Sequence, residues 1–300
     1  VFDRFFTKKY GYNVIGSIEP DKDVKQQIIV SGHHDAPYVF HLLEKVPKLY
    51  GILVISANLA MLSSLVLSIW WFFSLQITGA DLPNVSLARI VIIFTTIVVL
   101  PFLFFITNTV SPGAGDNMIS SVITTKIAAI FSQLKKSQIN ALQHTRLLVV
   151  SFDAEESGLR GARAFVKNNL KELQAVPTYV FNMDSLYELK NLKLFSRDIN
   201  STVRLSDTMI EKCQKVALDL GFELPAIPMP VGGGATDAAE FAKEGIHATT
   251  LIGLSTSFIR NETHYHTQFD SVDKIEPEAV EATLKLVVNF ILQTDEKTKI

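Results

Sequence analysis

The stretch "SFDAEESGLRGARAF", residues 151–165, sets Glu155 and Glu156 side by side after the apolar run "RLLVVSF" and ahead of a helical pattern. Adjacent like charges there have a structural use: acidic groups in a helix's first turn interact favourably with its dipole, and Ser157 is a ready cap. They also have a chemical use, because one carboxylate can hold a cation while its neighbour stays free to accept a proton. Similar groups recur along the chain. "SGHHDA" carries His33, His34 and Asp35, "SPGAGD" presents Asp116 from a Gly-rich turn, and "MDSL" carries Asp184. Further on, "THYHTQFDSVDKI" carries His264, His266, Asp270 and Asp273. Each has an ordinary explanation alone: a lone histidine is more often a hydrogen-bonded group than a ligand, and Asp116 suits a helix N-cap. Together they form a donor set that suits zinc, and a carboxylate can bridge two ions about 3.5–4 Å apart.

Elements must bring these groups together, and short apolar runs alternating with helical stretches predict an α/β sheet with helices on its faces. Strands are expected at 13–18, 27–32, 146–152, 178–183 and 247–254, and helices at 117–134, 159–170, 207–221 and 277–293. An open α/β sheet binds ligands beyond the carboxyl ends of its strands. His33, the glutamate pair and Asp184 each follow such a run. The fold class expected is therefore a mixed, mostly parallel sheet with helices on both faces.

One region does not fit a water-soluble sheet protein. The chain has 300 residues and is 48% hydrophobic, and no charge occurs from Leu49 to Ala80 or from Ile90 to Gly115. Each run exceeds the roughly 20 residues that cross a bilayer. Tyr50, Trp70 and Trp71 lie towards the ends of the first run, where amphipathic rings favour the interface. A two-helix transmembrane hairpin is expected over 47–111, meeting lipid through 49–80 and 90–110 and interrupting a catalytic domain made of 1–46 and 112–300. Two crossings return the chain to its starting side, so the polar groups can still assemble. Lys45 and Lys48 beside the hairpin, against Arg89 in its connector, lean by the positive-inside rule towards an integral membrane protein with a cytoplasmic catalytic side. Sequons at Asn84, Asn200 and Asn261 do not decide the compartment. A net charge of -2 argues against nucleic acid as a partner. Cys213 is the single cysteine, which excludes an intrachain disulfide and a cysteine zinc cluster.

The ordered motifs H-x-D, G-A-x-D-N, E-E-x-G-L-x-G, N-x-D and H-T-x-x-D resemble those of the two-zinc aminopeptidases of metallopeptidase family 28, over roughly residues 12–46 and 112–290. The resemblance implies two zinc ions per chain, with His33 and Asp184 on one, Glu156 and His266 on the other, and Asp116 bridging. It makes Glu155 the general base and Asp35 the group that fixes the orientation and tautomer of His33. Register with Asp35 selects His33 over His34, and "HTQFD" selects His266 over His264. In "GGGATDAAEF", Asp237 looks like the family's S/T-D-x-x-x-F segment, with Ala238 where a histidine is frequent, and its role stays open. The departure is spacing: His33 and Asp116 are 83 positions apart (116 minus 33), where soluble relatives use a short loop.

The function this implies is hydrolysis of a peptide at its N-terminus, by water activated between two zinc ions with Glu155 as base. Three alternatives differ in chemistry. A glutaminyl-cyclase-like acyltransferase uses one zinc. A carboxypeptidase relative needs a cationic pocket, for which Arg160, Arg197, Arg204 and Arg260 are available. A non-catalytic membrane receptor would have lost ligands, and none of the five is missing.

Overall fold

The computed structural model describes residues 7–78, 85–139, 141–230, 232–255 and 264–296. The strands are β1 (Val14–Ile18), β2 (Gln26–His33), β3 (Tyr38–Phe40), β4 (Ile106–Val110), β5 (Thr145–Phe152), β6 (Thr178–Leu186), β7 (Lys193–Asp198), β8 (Val203–Arg204), β9 (Ala226–Pro228) and β10 (His247–Gly253). The helices are α1 (His41–Lys45), α2 (Pro47–Thr78), α3 (Val85–Val99), α4 (Ile119–Lys136), α5 (Arg160–Leu173), α6 (Asp207–Asp219), α7 (Ala238–Ala242) and α8 (Pro277–Glu296). They fall into two compact units. One is Val1–Pro37, Pro112–Ser255 and Phe269–Ile300; the other is Tyr38–Ser111 and Thr256–Gln268.

In the first unit, side chains leave each strand alternately to its two faces. Ile28, Val30, Leu147, Phe181 and Met183 pack with α4, α6 and α8, whereas Ile29, Val150, Phe152 and Val180 pack with α5 and α7. Strands buried on both faces read as continuous apolar runs, which is why these were legible. The sheet order is β1-β5-β2-β6-β10-β7-β8, with β9 beside β7. β2 runs parallel to β5 and β6, and β6 parallel to β10; β1 and β7 are antiparallel to their neighbours β5 and β10. The register sets His33 opposite Phe152 and Ser31 opposite Asn182. The ends of β2, β5 and β6 therefore lie side by side, as the expected fold class requires.

The second unit pairs β3 with β4 antiparallel and carries α1, α2 and α3. α2 is apolar all round: Ile52, Leu62, Leu65, Ile69, Phe72 and Phe73 are all exposed. Its Pro47–Ile77 stretch is long and apolar enough to cross a membrane, and only 11% of its most apolar window is buried among the described residues. α3 meets α2 through Ser64 Oγ donating to Thr95 Oγ1 (2.8 Å), which in turn lies 3.3 Å from the carbonyl oxygen of buried Ala60.

The second apolar run corrects the sequence expectation of a spanning helix over 90–110. α3 ends at Val99, a 3₁₀ turn covers Leu100–Phe104, and β4 follows. Pro101 supplies no backbone N–H to continue the helical ladder, and Ile106, Thr107, Thr109 and Val110 are β-branched residues suited to a strand. The connector at 79–84, with Asn84, lies outside the described residues.

Candidate metal centre

Neither glutamate sits in a helix's first turn. α5 begins at Arg160, after Leu159 at φ 59°, with no side-chain cap from Ser157. Glu155 and Glu156 lie instead in a tight turn after β5 that starts at Ala154 (φ 56°) and ends at Gly158 (φ 91°) and Leu159, whose N–H groups both donate to Glu155 O at 2.8 Å. Left-handed backbone at two non-glycine residues is unfavourable and persists only where surrounding contacts hold it. Asp35 is such a contact: its Oδ1 accepts from Glu155 N (3.0 Å) and its Oδ2 from Glu156 N (3.1 Å).

Asp116 is likewise not a helix cap, because α4 is preceded by Met118 without a side-chain cap, and Asp116 is extended at φ -121°. A second carboxylate grips this turn: Asp270 Oδ1 accepts from Gly115 N (2.7 Å) and Oδ2 from Asp116 N (3.1 Å). Gly115 is required, since a Cβ there would lie 2.1 Å from Tyr187 Cε1. Asn117 Nδ2 donates to Met183 O (2.9 Å), tying the turn to β6. Asp270 was visible in the sequence only as the last letter of H-T-x-x-D. Asp270→Ala should leave two buried N–H donors unpaired, at about 1–3 kcal/mol each. The expected result is an unfolding free energy lowered by about 2 kcal/mol or more in denaturant titration; an unchanged value would show that the clamp contributes nothing.

Six of the predicted residues converge in the first unit. His33 Nε2 lies 3.4 Å from Asp116 Oδ1, 3.9 Å from Glu155 Oε2 and 3.9 Å from Asp184 Oδ1. On its other side, His33 Nδ1 is 3.1 Å from Asp35 O and 3.4 Å from Asp35 Oδ1. A carbonyl oxygen only accepts, so Nδ1 carries the proton of a neutral imidazole and Nε2 presents its lone pair to the three carboxylates. The sets His33, Asp116, Asp184 and His33, Glu155, Glu156 each bring three donor atoms within 4.8 Å of one another. His34 points away, its Nδ1 2.7 Å from Ser151 Oγ.

The electrostatics are those of a cation site. Burial pushes Glu155 well above the ordinary carboxylate range, relieved in part by His33 and reinforced by Asp184. Burial, offset by His33 and compounded by Asp116, raises Asp184 to about 7. Burial alone would lower His33, but Glu155, Asp116, Asp35 and Asp184 hold it well above its ordinary value. Several buried carboxylates around one imidazole are an arrangement that a divalent cation neutralises. Spacing fits too: two donors about 2.1 Å from a tetrahedral ion are ~3.4 Å apart. That is the His33 to Asp116 separation of 3.4 Å.

His266 belongs to the second unit, where its ring packs against Phe40 and Tyr265. Asp273 lies in an exposed turn, paired with Lys274 at 2.7 Å. Asp237 is buried just before α7, and neither of its oxygens has a hydrogen-bond partner among the described residues. Of the arginines, Arg204 pairs with Asp207, Arg160 Nε donates to Ser157 O, and Arg260 lies outside the described residues. Sequence reasoning missed a buried polar row beneath the centre. Ser31 donates to Asn182 (2.8 Å), Asn182 to Thr250 (3.3 Å), Thr250 bonds Thr236 (2.6 Å), and Thr236 donates to Asp198 (2.5 Å). Its signal was a polar residue inside each of three apolar strands.

The model of the family described as Peptidase family M28 matches residues 101–291, a stretch that includes Asp116, Glu155, Glu156, Asp184 and His266. Aminopeptidase YwaD of Bacillus subtilis (strain 168) is 25% identical over 193 residues, which cover 63% of this chain and 39% of that protein. A solved zinc aminopeptidase from Bacillus subtilis superposes with a TM-score of 0.56 at 18% identity, over 94% of this chain and 49% of that one. Bacteroides thetaiotaomicron glutaminyl cyclase, bound to N-acetylhistamine, gives a TM-score of 0.56 at 16% identity, over 93% of this chain and 76% of that one. The two solved structures share the fold. The chain spans half or less of the length of both aminopeptidases.

Proposed function

The chain belongs to peptidase family M28, and from that premise we propose that it is a zinc-dependent aminopeptidase, removing N-terminal residues from peptides and anchored in a membrane by α2. The observation that carries the reading is the convergence of His33, Asp116 and Asp184, with Glu155 and Glu156 beside them, at the carboxyl ends of parallel strands. His33, Asp116 and Asp184 would hold one ion. The sequence resemblance adds Glu156 and His266 for a second, with Asp116 shared. Zinc, when bound, supplies Lewis acidity that polarises the scissile carbonyl and acidifies water. Glu155 takes the proton of the attacking water and returns it to the leaving amine. The Asp35 carbonyl oxygen accepts a hydrogen bond from His33 Nδ1–H, and its carboxylate holds the turn that presents both glutamates.

Aminoacyl and N-acetylaminoacyl substrates of the same sequence test the reading. Cleavage should require the free amine; equal cleavage of both would remove the aminopeptidase assignment. A glutaminyl-cyclase-like activity is the second reading, since a Bacteroides glutaminyl cyclase shares the fold over 93% of this chain. Release of ammonia from N-terminal glutamine, without hydrolysis of other peptides, identifies that case.

Membrane attachment rests on α2, a 32-residue helix whose large apolar side chains face outward. The full chain should sediment with membranes after carbonate washing and enter solution only with detergent. A monodisperse chain in plain buffer would overturn the anchor without touching the chemistry.

A further inference from the structure

In the second unit His266 sits at the foot of the apolar helices. Its imidazole is flanked by Phe40, edge-on with ring centres 4.2 Å apart, and by Tyr265, stacked at 3.9 Å. Phe40 N–H also donates to His266 O at 2.8 Å. The Phe40 ring leans on Phe105 (4.5 Å), which stacks on Phe102 (5.7 Å) in the 3₁₀ turn after α3 and on Tyr50 (6.1 Å) in the first turns of α2. Both helix feet thus meet at Phe105 and continue through Phe40 to the imidazole.

Polar contacts follow the same route. His41 N donates to Phe105 O (2.8 Å), Ser111 Oγ to Thr267 O (2.9 Å) and Gln268 N to Glu44 Oε2 (3.3 Å). His266 itself is left-handed at φ 54°, a conformation that a residue with a Cβ keeps when its surroundings over-determine it. A ring held on two sides and a backbone tied at several points are the marks of a side chain built to stay in one place. Phe40, the last residue of β3, is in turn backed by Phe105, which directly follows the 3₁₀ turn after α3.

We propose that Phe40 and Phe105 are positioning residues for His266, so that the foot of the apolar helices fixes this imidazole for the metal-ligand role read from the sequence. The inference rests on the reading of His266 as a zinc ligand. Removing Phe40 frees the imidazole to turn, and removing Phe105 lets Phe40 sink away from it. Outer partners of a metal-binding histidine are typically worth 10–100-fold in affinity.

The test titrates the metal-free full chain, in detergent, with zinc against a competing chelator and with cobalt followed by visible absorption. Phe40→Ala and Phe105→Ala should weaken the second ion 10–100-fold and leave the first within about threefold, while Phe105→Tyr restores the native value. Two-ion binding of native affinity in both alanine variants would overturn the proposal. His266→Ala separates the inference from its premise. If it keeps both ions, the ligand assignment is wrong; if it loses one while both alanine variants keep two, the platform alone is wrong. Should Phe40→Ala lose both ions through misfolding, the milder Phe105→Leu decides, with selective weakening expected and native affinity fatal to the idea.

Discussion

Glu155→Gln should lower kcat by roughly 10²–10⁴-fold, the usual worth of a general base, while zinc content and KM stay near their native values. Gln keeps the shape of Glu but exchanges one acceptor oxygen for an NH2 donor and cannot take a proton from water at neutral pH. Glu155 suits the task by position: it is buried, 3.9 Å from His33 Nε2, and its N–H is fixed by Asp35. Its neighbour provides the control. Glu156→Gln should reduce bound zinc first, with activity following occupancy. If both variants lose metal equally and activity tracks metal alone, the two glutamates do not divide the work.

Thorough chelation should abolish hydrolysis, and re-addition of about two zinc ions per chain should restore it. The expectation follows from the crowding of Asp116, Glu155 and Asp184 around His33, groups that oppose one another's ionisation when no cation is present. Metal analysis during reconstitution separates the readings. Saturation at one ion, with ammonia released from N-terminal glutamine, would move the protein to the cyclase class. Activity that survives removal of all metal would end the zinc-hydrolase reading.

Much of the first unit was readable in advance because burial on both faces leaves long apolar runs, and because polar groups at strand ends are conspicuous against them. β7 to β9 escaped notice: "KLFSRD" is a short, mixed strand towards the sheet's edge, held by pairing rather than by its own composition. The second apolar run misled for a related reason. Absence of charge is shared by a spanning helix and by a helix, turn and ribbon, and only Pro101 with the β-branched residues after it distinguished them. The glutamate turn was hidden because its left-handed residues include Ala154 and Leu159, types that do not announce such a conformation as Gly158 does. The support of His266 was least readable of all. Phe40 lies 226 positions away (266 minus 40), and no periodic pattern links a loop to a ring that far back along the chain.

The length of α2 supplies a ruler. Thirty-two residues rise about 48 Å at ~1.5 Å each, against a hydrocarbon core of about 30 Å. Full burial would demand a tilt near 50°, outside the roughly 0–40° seen for spanning helices. The aromatic residues offer a better fit. Tyr50 and Trp70 are 20 positions apart (70 minus 50), or about 30 Å along the axis, so in the proposed membrane anchor the two rings would mark the two water lines of a nearly upright helix. In that anchor Phe72 to Thr78 would emerge among the headgroups of the opposite leaflet. A cysteine placed at Ile77 should react with an impermeant thiol reagent added on that side alone, while one at Leu62 should stay silent from both.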